Sequence, residues 1–452
     1  MRSIAFSGAC AYLLLLSPLE AQQPTPVGAE FQVNQITAGD QYIPRLTGDA
    51  ATGEFIVTWA GDPEASFDAQ VYFRIFASDG SPSSDDLEVD DLEAVRRNGP
   101  VISRLPGGDF VIAWGSEASN GNDDNSYSVQ ARRFDASGTR LGESFQVNQF
   151  TLGYQRLPEI GSDALGNFVI IWANESPDTL DLSQWSLRGR RFASDGTARG
   201  DEFLVNTYTT GNQGGLGLGH SLAVAENGDF VAVWGHDEDT GTAGNAIRAQ
   251  LFDSNGSKLG TEIEVSSDEG LVKNFPAAAL RDNGDVLVAW GSGSAGGSGP
   301  DGDGAGVELR RFGSDGSAIG NQLTVNSYTT GNQFAPAIET APDGGFLVVW
   351  SSAGSTGSDG DSFSVQAQRF DAAAHPSGGN FQVNSFTTGV QFGQSVFVDD
   401  MGLAVVGWRS GGSPSPDGDG TSVQARFLLL EEGLFIDGFE TGDTSAWSSV
   451  TP

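Results

Sequence analysis

The chain has 452 residues, with 59 acidic against 23 basic side chains and a formal net charge of -36. Binding to a nucleic-acid backbone requires a basic surface, and this chain has a pI of about 4.1, so nucleic acid is excluded as an expected partner. Its 28 Phe and 9 Trp can form a large core, so the charge does not indicate disorder, and its 63 glycines indicate many turns and an all-β fold.

The N-terminal segment predicts a secretory signal. Arg2 supplies a positive charge, residues 4–16 are mostly apolar, and Leu19-Glu20-Ala21 forms a small-residue cleavage site. We therefore expect a signal peptide over residues 1–21, a lead-in over 22–30, and a protein that is secreted or held at the cell surface; a buried N-terminal helix is the alternative. The sole cysteine, Cys10, lies in this segment, so the mature chain needs its core, ring closure or bound ions for stability.

A tryptophan recurs along the chain at spacings of 55, 58, 62, 56, 60 and 58 residues. Each ends an apolar run, such as GDFVIAW or GGFLVVW, which predicts a strand covered on both faces. A second strand ends in a Phe about twenty residues later, as in SVQAQRF, and a third, such as FQVN, follows a turn. A fourth strand precedes each tryptophan strand. The seven tryptophans, which we expect to pack between sheets, are Trp59, Trp114, Trp172, Trp234, Trp290, Trp350 and Trp408.

Four antiparallel strands in a unit of about 58 residues, repeated seven times, predict a seven-bladed β-propeller over residues 31–427. We name the strands of a blade A to D from the axis outward. The first D strand, residues 31–34, precedes the first A strand, and no D strand follows the last C strand, which ends at Phe427. We therefore expect residues 31–34 to pair with that C strand and close the ring. An open β-solenoid or a string of small sandwiches is the alternative.

Because successive strands of a blade run in opposite directions, the D-to-A and B-to-C connections lie on the same face of the ring. Five D-to-A loops carry an Asn and a Gln seven residues apart, as in Asn326 and Gln333. We expect these amides to satisfy backbone groups of the turn, the alternative being a polar ligand ring at the channel mouth. The arginines before the Phe marker, such as Arg132 and Arg190, are expected to pair with carboxylates between blades.

The B-to-C loops are rich in Gly, Ser and Asp, as in PDGDGAG, SDGDS and PDGDGTS. Alternate carboxylates on a Gly-turned loop can converge as the oxygen ligands that Ca²⁺ prefers, so calcium is the cofactor that this pattern predicts; a solvated acidic turn is the alternative. The candidate ligands are Asp301, Asp303, Asp359, Asp361, Asp417 and Asp419.

Other motifs for chemistry are sparse, and the sequence identifies no catalytic residues, which are unknown from it. The sequence contains no HExxH, CxxC, Walker or GxSxG motif. His220 and His375 stand alone, while His236 adjoins Asp237 and Asp239 and forms either a metal corner or an exposed loop. Trp185 lies off the repeat position and is the best candidate for an exposed aromatic ring.

The FQVN, TTGNQ, DGGFLVVW and SDGDSFSVQAQRFD arrangement resembles propeller-type repeats of bacterial exported and surface proteins, often found beside calcium-binding modules; the resemblance implies no defined activity. The tail, residues 428–452, contains DGFETGDTSAW and is similar to C-terminal segments of some Gram-negative exported proteins. It implies a sorting segment, or alternatively a terminal strand that caps the ring.

We therefore predict a non-enzymatic binding or scaffold propeller, monomeric and without a membrane span, whose partner is an extracellular protein or glycan. The alternative is an extracellular hydrolase or lyase with a carboxylate cluster at the channel mouth. An enzyme should bring differently typed polar residues from non-equivalent positions into one pocket, whereas a scaffold should show equivalent loops.

Overall fold

A computed structural model describes residues 23–430, apart from 63–68, 91–95, 124–125, 176–180, 182–184, 216, 238–245, 268–270, 294–298, 413–416 and 418–419. The predicted signal peptide, Cys10 and nearly all of the predicted tail lie outside the described residues. Within them the chain forms seven antiparallel sheets, which confirms the predicted seven-bladed all-β propeller. No helix in these ranges has the length and apolarity needed to cross a membrane.

The strands follow the chain from blade to blade. Blade 1 contains β2 (Asp40–Gly48), β3 (Phe55–Asp62), β4 (Gln70–Phe76) and β5 (Leu87–Glu88). Blade 2 contains β6 (Arg97–Arg104), β7 (Phe110–Ser116), β8 (Ser128–Phe134) and β9 (Phe145–Gln146), with a 3₁₀ turn at Pro106–Gly108. Blade 3 contains β10 (Tyr154–Ser162), β11 (Phe168–Glu175), β12 (Ser186–Phe192) and β13 (Phe203–Leu204). Blade 4 contains β14 (Asn212–Gln213), β15 (His220–Val224), β16 (Phe230–Asp237), β17 (Ala246–Phe252) and β18 (Lys258–Glu264).

The remaining blades include both ends of the described chain. Blade 5 contains β19 (Lys273–Leu280), β20 (Val286–Ser292), β21 (Gly306–Phe312) and β22 (Ala318–Thr324). Blade 6 contains β23 (Gln333–Thr340), β24 (Phe346–Ala353), β25 (Phe363–Phe370) and β26 (Pro376–Gln382). Blade 7 contains β27 (Gln391–Val398), β28 (Leu403–Ser410), β29 (Ser422–Leu429) and β1 (Thr25–Gln32).

The N-terminal strand closes the ring, as the repeat phase predicts. Strand β1 pairs antiparallel with β29, with Phe31 opposite Ala425 and Thr25 opposite Leu429. Both strands are longer than predicted, because pairing begins within the lead-in and continues past Phe427. The innermost strands of the first and last blades, β2 and β27, also pack together.

The core consists of seven apolar clusters, each formed by two neighbouring blades and each containing one repeat tryptophan. All seven of these indole rings are completely buried. The B strands that carry them are buried on both faces, which explains their continuous apolar sequence. The tryptophan repeat is therefore explained by packing between blades.

Arginines on the C strands link neighbouring blades, but they bond to backbone carbonyl groups and not to carboxylates. Arg132 donates to Val89 O of the preceding blade at 3.2 Å, and Arg190 donates to Val147 O at 3.0 Å. Blades 1, 5 and 7 make the same contact through Arg74, Arg310 and Arg426. The prediction of carboxylate partners between blades is therefore wrong for these five contacts, where a backbone carbonyl accepts the hydrogen bond.

The innermost strands of six blades carry a bulge. Its first residue has positive φ, as at Leu157 (56°) and Phe275 (49°), and in five blades a proline follows. Blade 4 differs, because residues 214–219 separate β14 from β15 and His220 occupies the proline position. This insertion is the largest departure from the repeat near the axis.

Candidate functional site

The predicted metal ligands hold two loops of the same blade together. The first Asp of the acidic loop accepts a hydrogen bond from the Asn of the D-to-A loop; the Asp359 Oδ2 to Asn384 Nδ2 distance is 2.7 Å. Burial raises the pKa of Asp359, while this hydrogen bond lowers it. Five blades share the contact, through Asp123 with Asn148, Asp181 with Asn206, Asp301 with Asn326, Asp359 with Asn384, and Asp417 with Asn34.

The second Asp of the loop lies nearer the surface. Asp303 Oδ2 accepts from Gly331 N at 3.3 Å, and Asp361 Oδ2 accepts from Gly389 N at 3.0 Å. Asp419 lies outside the described residues. No group of three or more His, Cys, Asp or Glu side chains suited to a metal occurs in the described part of the chain. Calcium binding by these loops stays a prediction.

The paired amides of the D-to-A loops have the expected structural role. Asn148 Nδ2 donates to Phe150 O at 2.8 Å, and its Oδ1 accepts from Val129 N at 3.0 Å. Gln155 Nε2 donates to Leu152 O at 2.8 Å. Both side chains are buried, so these amides stabilise the loop and do not face a ligand.

A polar cavity of about 580 Å³ opens on the same face, above blades 1 to 3. It lies where the innermost strands begin and the tryptophan strands end, so it forms the mouth of the channel. We call it the mouth pocket. Its lining residues are Tyr42, Arg96, Arg97, Glu117, Ser126, Tyr127, Tyr154, Arg156 and Glu175.

One wall of the mouth pocket contains the phenol of Tyr127 between the carboxylate of Glu117 and the guanidinium of Arg96. The Tyr127 side chain is only 7% exposed, whereas Arg96 and Glu117 are exposed at the rim. Burial raises the pKa of Tyr127, its hydrogen bond with Glu117 raises it further, and Arg96 lowers it. Tyr127 is therefore a protonated donor at neutral pH, adjacent to a carboxylate.

The opposite wall is built around Arg156. Its Nη2 lies 2.6 Å from Glu175 Oε2, and its guanidinium carbon lies 5.0 Å from the ring centres of both Tyr154 and Trp185. Cation–π contacts and an ion pair together fix the guanidinium. The Tyr154 ring is stacked on that of Tyr127 at 5.9 Å and is 39% exposed. Tyr154 is the accessible ring, whereas the expectation of an exposed Trp185 is wrong, since it is 8% exposed.

Below the mouth, the central channel contains a second cavity of about 540 Å³. Arg45 Nη2 lies 3.9 Å from Glu159 Oε1, which links blades 1 and 3. Burial raises the pKa of Glu159, and it raises the pKa of Glu339 to about 7. Burial lowers the pKa of His220 to about 4, so its imidazole is neutral, with Nδ1 3.1 Å from Gly214 O.

The other two histidines serve local structure. The buried His236 ring packs edge-on against Tyr208 at 5.0 Å, and its Nδ1 lies 3.4 Å from Gln213 Nε2. Asp239 lies outside the described residues. His375 is exposed in a turn, with Nδ1 3.1 Å from Asp371 Oδ2.

Comparison of equivalent positions around the ring could have identified the mouth pocket from the sequence. The third residue after the repeat tryptophan is acidic in blades 1 to 4 and small and neutral in blades 5 to 7. These residues are Asp62, Glu117, Glu175, Asp237, Gly293, Ala353 and Gly411. When equivalent positions in similar blades carry different residue types, the symmetry of the ring is broken there, and a functional site can form. The acidic loops are the more regular feature of the repeat, but their first Asp serves structure in five blades.

No protein family matches the chain, and no curated protein sequence does. Solved structures with the same fold include an ulvan lyase of a new polysaccharide lyase family, bound to -[GlcA(1-4)Rha3S]-, at a TM-score of 0.55 and 10% identity over 90% of this chain and 96% of that chain. The polysaccharide lyase Uly1 matches at a TM-score of 0.52 and 9% identity, over 92% of this chain and 94% of that chain. A Dyadobacter fermentans protein of unknown function matches at 0.52 and 12%, over 76% and 97%.

These structures overturn the expectation that the chain is a non-enzymatic binding or scaffold module rather than an enzyme. The named activities among these three propellers are those of polysaccharide lyases, which favours the alternative of a hydrolase or lyase at the channel mouth. At 9 to 12% identity the likeness itself establishes the fold alone.

Proposed function

We propose that this protein is a carbohydrate-active enzyme that cleaves a polysaccharide containing uronic acid by β-elimination in the mouth pocket. The observation that carries the proposal is the union of differently typed groups from three blades, a phenol, carboxylates and guanidinium groups, in one cavity. Equivalent loops of a scaffold would repeat one residue type instead. The shared fold with polysaccharide lyases supports the same class of reaction.

The first wall supplies the proton transfers. Glu117 removes the proton from the carbon next to the substrate carboxylate, and the exposed Arg96 stabilises the negative charge that develops there. Tyr127 donates its proton to the departing glycosidic oxygen as a carbon–carbon double bond forms and the carbon–oxygen bond breaks. The hydrogen bond between Glu117 and Tyr127 then returns a proton to the phenol, so the cycle balances.

The second wall holds the sugar. The exposed ring of Tyr154 offers a flat apolar surface for a sugar face, and the Arg156–Glu175 ion pair offers donors and acceptors for hydroxyl groups. The cavity volume of about 580 Å³ is within the range of ligand pockets.

The decisive test compares Tyr127→Phe with the wild type on a panel of uronic-acid polysaccharides. We expect the wild type to release products with the ultraviolet absorbance of an unsaturated uronic acid, and the variant to lose about 10²- to 10⁴-fold in kcat, because the phenol proton donor is removed. Tyr208→Phe is the matched control, since Tyr208 is 38% exposed on the same face but does not line the mouth pocket. A wild type that leaves every polysaccharide intact would refute the proposal.

Hydrolysis is the second candidate, because two carboxyl groups, those of Glu117 and Glu175, line the same cavity. The same assay separates the two reactions. Hydrolysis produces new reducing ends without the absorbance of a double bond.

A further inference from the structure

The Gly-rich insertion of blade 4, residues 214–219, lines the central channel through Gly215, Gly217 and Gly219, at a position where the other blades have only a two-residue bulge. We infer that this insertion, acting through Trp185, positions the Arg156–Glu175 wall of the active site. The inference rests on the proposed function, because it assigns a role in that site.

The described residues of the insertion, 214–215 and 217–219, make defined hydrogen bonds. Leu218 N donates to Gly215 O at 3.0 Å, and Gly214 N donates to Gly235 O of the adjacent strand at 2.9 Å. His220 holds the start of the turn, since its Nδ1 lies 3.1 Å from Gly214 O. A neutral imidazole donates from Nδ1 to this carbonyl, so His220 acts as a fixed support at neutral pH.

Gly215 touches the indole ring directly. A Cβ atom at this position would lie 2.6 Å from both Cγ and Cδ2 of Trp185, so glycine permits an approach that a methyl group would block. Trp185 O also accepts from Gln213 N at 3.2 Å. Blade 4 therefore packs closely on Trp185, although that residue belongs to blade 3.

Trp185 connects the insertion to the mouth pocket. Its ring lies 5.0 Å from the guanidinium carbon of Arg156, whose Nη2 is 2.6 Å from Glu175 Oε2. A shift of the indole ring would move the guanidinium and its carboxylate partner together. Trp185 and Gly215 are thus positioning residues, and they do not touch the substrate.

The test is Gly215→Ala, because its φ is not left-handed and the added methyl group acts only by pushing the indole ring. We expect kcat/KM to fall by about 10- to 100-fold, with a changed pH profile of kcat/KM, because the wall is displaced from its productive position. Gly379→Ala is the matched control, since its Cβ would meet no atom within 4 Å and its φ is also ordinary. The double variant Gly215→Ala/Trp185→Phe should recover most of the activity, because the smaller ring leaves room for the methyl group.

Two readouts separate the outcomes. Wild-type kcat, KM and pH profile in Gly215→Ala would overturn the positioning role. If the wild type cleaves no polysaccharide, the proposed function fails, and a crystal structure of Gly215→Ala decides the coupling. A displaced Arg156–Glu175 pair would support the inference, whereas an unmoved pair would overturn it.

Discussion

Many acidic side chains of this protein accept hydrogen bonds from the chain itself. Glu202, just before outer strand β13, accepts from Gln149 N of the preceding blade through Oε2 at 2.6 Å, and Glu30 Oε2 on β1 accepts from Ser385 N of the preceding blade at 2.6 Å. In the turns of the opposite face, Asp135 Oδ1 accepts from Ser137 N and its hydroxyl, and the hydroxyl contact lowers the pKa of that carboxyl. Part of the large negative charge is thus structural and lies on both faces.

Glu339 makes folding stability depend on pH. Burial raises its pKa from 4.5 to about 7, so the folded chain binds this proton more tightly than the unfolded chain does. Stability is therefore lost as the pH rises through that interval. The free energy of unfolding should fall by about 1 to 3 kcal/mol from this residue.

Urea unfolding across this pH interval checks the expectation. Glu339→Gln should remove the contribution, whereas Glu339→Asp should keep part of it because a carboxyl group remains in the channel. Equal pH slopes for the wild type and Glu339→Gln would contradict the assignment. The comparison cancels the contributions of Glu159 and His220, which line the same cavity.

At the residue scale, the sequence predicts which positions repeat but not what they contact. The Asp and Asn that bond between loops are 25 residues apart in four blades, a constant spacing that signals a structural pair. The mouth pocket was missed for the opposite reason. Glu117 occupies a position that is acidic in blades 1 to 4 only, and the packing of blade 2 against blade 3 brings it into one pocket with Arg156.

The outer strands of blades 4 to 7 share a β-bulge that disfavours edge-to-edge association with another chain. Each contains a glycine with φ near 70°: Gly260, Gly320, Gly378 and Gly28. A bulge accompanies this position, as between Leu309 and Arg311 opposite β22. Such a bulge twists an exposed edge away from pairing with another chain. In blades 1 to 3 the outer strands are instead only two residues long.

The glycine requirement can be tested without disturbing any neighbour. Gly320 has a φ of 74°, and a Cβ there would meet no atom within 4 Å. Gly320→Ala should lower the free energy of unfolding by about 1 kcal/mol, because only backbone strain is added. Gly379→Ala, equally open but with ordinary φ, should leave it unchanged, as measured by chemical denaturation. Equal stability of the two variants would show that the bulge tolerates a side chain.

At the scale of the whole molecule, the repeat phase was sufficient to predict both the ring and its closure. The sequence contains seven sets of A, B and C strands, and its first D strand precedes the first A strand. A closed ring is possible only if this D strand completes the last blade, as the pairing of β1 with β29 shows. The activity did not follow in the same way. Packing repeats in every blade, whereas the proposed active site depends on residues that the other blades do not repeat, such as Tyr127 and Arg96.

The N-terminal strand and the two residues after it supply three kinds of contact that the other strands of blade 7 do not make. Phe31 stacks on Phe427 with ring centres 5.7 Å apart, and Val33 is fully buried and accepts from Arg74 through its carbonyl. Asn34 bonds to Asp417 at 3.2 Å. Removal of residues 23–34 exposes the edge of β29 and opens the interface between blades 7 and 1.

We therefore expect deletion of residues 23–34 to lower the Tm strongly and to promote association through the exposed edge of β29, because an unpaired strand is a template for another chain. Differential scanning calorimetry and light scattering measure both effects. A synthetic peptide of residues 23–34 should raise the Tm of the shortened chain with increasing concentration, since it binds only the folded ring, whereas a scrambled peptide should not. An unchanged Tm after the deletion would mean that the ring is held closed by the innermost strands, β2 and β27, without the N-terminal strand.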